Sequence, residues 1–270
     1  MAASALGFSA MAALVKLATR TLPTGEIVLA RAVVTLAISY AMLRRAGIAP
    51  FGTRRGRLVV RGVLGFCALA CYYVSLAKLP LADATVLQNT TPVVTALLAW
   101  WLLDERVGRA AAFAIACGLG GVVLVVHPSG AAADPLGVAV ALGGATLSAI
   151  AYVTVRQLAA TERPLVIVFY FPLVATPLAL PWALVDFRWP TPVEWLLLVA
   201  IGATTQLGQV FMTMGLAIER AGRATSVAYL QVAFAMVWQL AVFGQAPALG
   251  TVAGAALIVA GTLAVSRSAD

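Results

Sequence analysis

Thr85, Gln88, Asn89 and Pro92 stand at i, i+3, i+4 and i+7, which puts them on one face of a helix. The two amides each offer donor and acceptor groups that suit a zwitterion or a heterocycle. Pro92 has no N–H of its own, so the carbonyl one turn earlier is released as a further hydrogen-bond site. Gln206, Gln209 and Thr213 form a second polar face of this kind, and Ser148, Tyr152 and Arg156 a third. Tyr229, with Gln231 nearby, Tyr73 and the mid-stretch Trp238 complete the set. All of them lie inside long apolar stretches, where polar side chains are costly and turn toward a cavity or another helix. Gln88, Asn89, Tyr229, Gln206, Gln209, Tyr152, Tyr73 and Trp238 are therefore the candidate contacts for a small solute. The competing use is hydrogen bonding between helices, and Arg156 has the further option of snorkelling to the inner surface.

Lys16, Glu26 and Arg31 form a second group, near the outer ends of the first two apolar stretches. They read either as a charge network that holds the helix ends or as an outer gate that offers a counter-charge to a carboxylate. Glu26 is the one acid near that path, and no Asp or Glu falls in the middle of an apolar stretch. Proton coupling would need a carboxylate buried there. Catalysis finds little support. The single histidine, His127, is followed by Pro128, and no His/Cys/acid spacing would hold a metal. A phosphate loop is missing, and no Ser–His–acid set can be assembled without that one histidine. Neither an enzyme nor a bound cofactor is expected.

The elements that position these residues follow from composition. Of 270 residues, 62 % are hydrophobic and 10 % charged, against about 25 % charged in a soluble domain. So few charges cannot cover a water-facing surface. Ten apolar stretches emerge, at 2–19, 25–44, 59–78, 83–103, 108–127, 136–157, 164–185, 193–217, 223–244 and 248–266. Helix is the element for each, because hydrocarbon demands that backbone groups be satisfied within the segment. No basic region precedes the first stretch, so it reads as a span and not as a signal peptide. Cys67, Cys71 and Cys117 lie within spans and read as small core residues.

The net charge of +8 is placed as a topology signal, not as a nucleic-acid surface. With a cytoplasmic N-terminus, the inner side holds Arg44, Arg45, Arg54, Arg55, Arg57, Arg61, Arg106, Arg109, Arg156, Arg163, Arg220, Arg223 and Arg267. The outer side holds only Lys16, Arg20, Arg31, Lys78 and Arg188. This asymmetry puts both termini in the cytoplasm. Arg- and Ala-rich usage with lean loops points to a bacterial inner membrane.

The chain also matches itself at an offset of 140. Leu76-Ala77 meets Leu216-Ala217, Ala84-Thr85 meets Ala224-Thr225, Gly62 meets Gly202, Gly121 meets Gly261 and Lys16 meets Arg156. The register holds from the first stretch to the last. Each half, 1–130 and 131–270, then has five helices. An odd number inverts the second half, a construction found in secondary transporters.

Several segments resemble the EamA-type branch of the drug/metabolite transporter superfamily. They are Lys16, Glu26 with Arg31, Leu79-Pro80-Leu81-Ala82-Asp83-Ala84, Thr90-Thr91-Pro92, and Asp104-Glu105-Arg106 before the Gly118/Gly121 helix. Ala221-Gly222-Arg223-Ala224-Thr225 and the Gly254/Gly261 helix take the equivalent places in the second half. Gln245 departs from the pattern, standing where the first half has the acid Glu105. The resemblance covers both halves. It implies ten helices around a central cavity, and transport of amino acids, nucleobases, drugs or related metabolites.

The expectation is thus an all-α membrane protein with ten transmembrane helices, arranged as two inverted five-helix repeats. Its expected work is alternating-access transport of an amino acid, nucleobase or similar amphipathic solute, by facilitated diffusion or exchange. The alternative is a non-transporting membrane scaffold or receptor. The expected partners are the small-molecule substrate and the lipid bilayer, with no nucleic acid, and the sequence does not choose between monomer and homodimer.

Overall fold

The computed structural model describes residues 2–91, 94, 113, 116, 117, 120, 121, 123, 124, 134–218 and 230–268. The helices described are α1 (Ala2–Ala18), α2 (Thr24–Arg45), α3 (Arg55–Lys78), α4 (Leu81–Gln88), α5 (Pro135–Ala159), α6 (Pro164–Val185), α7 (Pro192–Ile218), α8 (Leu230–Phe243) and α9 (Leu249–Ser268). Of these, α2, α3, α5, α6 and α7 are long and apolar enough to cross a membrane. The expected span 108–127 and Tyr229 lie mostly or wholly outside the described residues.

Local chemistry explains where the helices begin and end. Pro135, Pro164 and Pro192 open α5, α6 and α7, where a missing N–H is harmless and φ is already helical. Thr191 and Glu194 form a capping box at the start of α7. Glu194 Oε2 accepts from Thr191 N at 2.8 Å, and Thr191 Oγ1 accepts from Glu194 N at 3.4 Å. At the end of α2, Gly47 takes φ 63°, and Ile48 N reaches back to Leu43 O at 3.0 Å, the six-to-one bond of a Schellman motif.

Of the expected fourth span, 83–103, the structure describes residues 83–91 and 94, and Pro92 lies outside the described residues. Helix α4 stops at Gln88, and Asn89-Thr90 forms a turn. The ring of Pro92 would clash with the Gln88 carbonyl in a continuous helix, and it has no N–H to bond it. That carbonyl is not left free for a solute: Thr91 Oγ1 donates to it at 2.6 Å.

Two sets of ties identify the ends of the bundle. At one end Thr53 Oγ1 and Arg54 N donate to Glu162 Oε1 at 2.7 and 2.6 Å. At the other, Arg188 Nη1 donates to Thr21 O, and Lys78 pairs with Asp134. Helices α2 and α6 therefore run antiparallel, and the offset of 140 lays α2 on α6 end to end. Packing follows the same relation. The contact of α3 with α5 has its counterpart in α7 with α1, and that of α2 with α7 in α6 with α3. In the α1–α7 contact the backbones come so close that a Cβ on Gly7 would stand 2.9 Å from Gly208 N, which is what small residues permit between membrane helices. One core cluster joins all nine described helices, and a second gathers Leu43, Leu58, Val155, Leu158 and Phe169 toward the Glu162 end. Trp189 and Trp195 are exposed at the opposite end, as in an aromatic belt.

Candidate functional site

A cavity of about 140 Å³ lies among α1 to α8. Helix α3 offers it Arg61, Gly65, Ala68, Leu69 and Tyr72, a stripe at helical spacing. Helix α1 adds Ser4, Phe8 and Met11, and α5 adds Ser148 and Tyr152. Arg31, Phe171, Gln209 and Gln231 close it from α2, α6, α7 and α8. Many lining residues are partners at the offset of 140: Phe8 with Ser148, Arg31 with Phe171, Leu69 with Gln209, Tyr72 with Met212 and Thr91 with Gln231. The cavity is thus built from equivalent positions of the two halves.

Four of the solute contacts expected from sequence come together here: Gln88, Asn89, Tyr152 and Gln209. Gln88 Nε2 donates to Ser148 Oγ at 2.8 Å, and Asn89 Nδ2 donates to Thr85 O at 2.8 Å. The oxygens of Gln88 and Gln209 are buried and have no hydrogen-bond partner among the described residues.

Three others do not line the cavity. Gln206 turns to α2, where its Oε1 accepts from Ser39 Oγ at 3.1 Å. Tyr73 is buried with its hydroxyl on Met11 Sδ at 3.1 Å, and its neighbour Tyr72 faces the cavity instead. Trp238 Nε1 donates to Ser9 Oγ at 3.3 Å, between α8 and α1. One helical position is about 100° of rotation, so a choice between neighbours decides which side chain meets the cavity and which meets a helix.

Lys16, Glu26 and Arg31 do not form one network. Lys16 Nζ donates to the carbonyls of Leu76 and Leu79 at 2.7 and 2.6 Å, capping the end of α3. Glu26 Oε2 accepts from Arg188 N at 3.3 Å. Arg31 lies deeper: it is 2 % exposed, its Nε donates to Thr205 Oγ1 at 3.0 Å, and it lines the cavity. Their separation follows from helix geometry, because five residues along α2 carry Arg31 more than one turn inward from Glu26.

The residue that sequence reasoning misplaced is Arg61. Counted as an inner-loop cation, it is 3 % exposed within α3 and faces the cavity. The available signal was its place one and a half turns inside α3, followed by the small residues Gly62 and Gly65. A Cβ on Gly65 would meet Phe171 at 2.7 Å and Arg61 Nη1 at 3.0 Å. Arg31 and Arg61 enter from opposite ends of the bundle and meet on one ring. Their guanidinium carbons lie 5.2 and 4.7 Å from the centre of Phe171. Each such contact contributes about 0.5–2 kcal/mol, less than the roughly 2.5–3.5 kcal/mol that an arginine costs at the centre of a membrane helix. Among the described residues the buried carboxylates are Glu26, Asp83 and Glu162. None lines the cavity. Asp83 accepts from Thr251 instead.

Comparison with known proteins agrees with this architecture. The model of the EamA-like transporter family matches residues 1–127 and again 135–267. The chain is 37 % identical over 262 residues to the pseudopaline exporter CntI of Pseudomonas aeruginosa, covering 97 % of this chain and 92 % of that one. It is 31 % identical to solute carrier family 35 member G1 of Mus musculus, over 81 % of this chain and 64 % of the mouse protein. A solved crystal structure superposes with a TM-score of 0.73 over 99 % of this chain and 98 % of the other, at 20 % identity, a likeness of fold. With both halves matched by one family and an exporter aligned along nearly its whole length, this multi-pass membrane protein belongs to the EamA-like transporter family and is a transporter, not an enzyme.

Proposed function

We propose that the chain is a secondary transporter built of two inverted five-helix halves, residues 1–130 and 131–270. It moves a small amphipathic metabolite across a bacterial inner membrane by alternating access, with both termini in the cytoplasm. The observation that carries this reading is the cavity, whose wall is made of equivalent positions from the two halves. A site on the pseudo-two-fold relation can be opened to either side when the halves exchange conformations. The naming of a relative as an exporter supports outward movement. The absence of a carboxylate from the described cavity wall supports facilitated diffusion or exchange over proton coupling.

Uptake into proteoliposomes tests the reading, with labelled amino acids, purines and S-adenosylmethionine, each with and without a pH gradient. Saturable uptake of one class is expected. Gln209→Ala removes a lining oxygen that has no partner among the described residues, so uptake should fall while the melting temperature holds. Asn89→Ala should also lose uptake. A scaffold would tolerate both changes, and folded protein that moved no solute would overturn the transporter mechanism. Uptake that required a pH gradient and survived Glu26→Gln would contradict the coupling argument.

A further inference from the structure

We propose, resting on the transporter reading above, that the cavity binds an organic anion with two carboxylates, which Arg31 and Arg61 hold. Both guanidinium groups are buried and line the cavity. Arg31 Nη1 and Arg61 Nε and Nη1 have no hydrogen-bond partner among the described residues. Thr205 Oγ1 accepts from Arg31 Nε, and no carboxylate among the described residues pairs with either cation. Arginine stays protonated and has five donors in a planar fork, a shape that fits a carboxylate with two parallel bonds. Because the two guanidinium carbons share one ring centre at 5.2 and 4.7 Å, they lie within about 10 Å of each other, close enough to repel even through physiological salt.

A neutral solute would leave both charges and their repulsion in place, and a cation would add to it. A dianion neutralises both. Two further buried atoms of the wall, the oxygens of Gln88 and Gln209, have no hydrogen-bond partner among the described residues. They accept hydrogen bonds, so they suit a hydroxyl or ammonium group carried between the acidic ends. Hydroxy- and amino-dicarboxylates combine both features, while Tyr72, Phe8 and Met11 supply the apolar part of the wall.

The test uses the full chain in proteoliposomes with labelled malate, L-glutamate, citrate, leucine, lysine and glycerol 3-phosphate. Saturable uptake of malate, glutamate or citrate is expected, with little of leucine or lysine. Arg61→Gln and Arg31→Gln should each lower uptake efficiency about 100-fold, as when one partner of a buried charge pair is removed. Their melting temperatures should not fall, because each removes a buried charge that no carboxylate among the described residues pairs. Arg61→Lys should recover part of the loss. Should a variant fail to fold, wild-type protein still decides the matter: phenylglyoxal, which modifies arginine, should inactivate it, and malate but not leucine should slow that inactivation. Uptake of leucine or lysine alone would overturn the anion assignment and leave the transporter standing. Uptake of glycerol 3-phosphate alone would replace carboxylate by phosphate and overturn it as well. No uptake of any solute by folded protein would overturn both readings.

Discussion

Lys16 offers the sharpest separation between structure and transport. Its Nζ bridges the carbonyls of Leu76 and Leu79 at 2.7 and 2.6 Å. Leu76 lies in the last turn of α3 and Leu79 is the residue that caps it, where carbonyls have no partner within the helix. Lys16→Met keeps the length of the side chain and removes both bonds. Hydrogen bonds to charged groups contribute about 1.5–3 kcal/mol in soluble proteins, but those inside membrane bundles average about 0.6 and reach about 1.7 kcal/mol. Two bonds at the lower scale give about 1–3 kcal/mol, and the attraction of the cation to the helix end adds about 0.3–1 kcal/mol. The total is about 1–4 kcal/mol, which at about 2–4 °C per kcal/mol for a protein of this size is a drop in melting temperature of about 3–16 °C. Tryptophan fluorescence melts in detergent measure it, and Lys16→Arg should keep most of the stability. Uptake per folded molecule should survive in both variants. A Lys16→Met protein that melts like wild type but no longer transports would refute the argument and make Lys16 a gate.

Glu162 predicts a pH dependence. Burial raises its carboxyl, but bonds from Thr53 and Arg54 and the Arg54 charge outweigh that and hold it below the usual carboxylate value. A depressed folded pKa stabilises at pH above the unfolded value, about 4.3, and that stabilisation is lost as pH falls through the folded value. Glu162→Gln should therefore melt lower than wild type at pH 7, with the gap closing as the buffer approaches pH 3; a gap that widened there would show the opposite shift. Gly65→Leu drives a side chain into Phe171 and Arg61, a clash seen already at its Cβ. It should destabilise by about 1–3 kcal/mol and abolish uptake, and a variant with normal uptake would mean that this part of the wall does not hold the solute.

Much of the fold is readable from the chain alone. Lipid leaves no choice of element, so an apolar run about 20 residues long is already a helix. The run 164–185 coincides with α6, and 25–44 falls one residue inside each end of α2. Proline and glycine mark the ends for local reasons. The offset of 140 announces two equivalent halves, because equivalent positions must make equivalent contacts. The rotation of each helix was decided only by tertiary packing. A span that is apolar all round presents the same character to lipid as to its neighbours, so nothing in its pattern says which face turns inward. That is why Tyr72 rather than Tyr73, and Gln209 rather than Gln206, reaches the cavity. It is also why Arg61, an inner-loop cation by its position in the sequence, stands with Arg31 on the ring of Phe171. Long-range contact between α2, α3 and α6 brings those three side chains together, and no spacing along the chain encodes it.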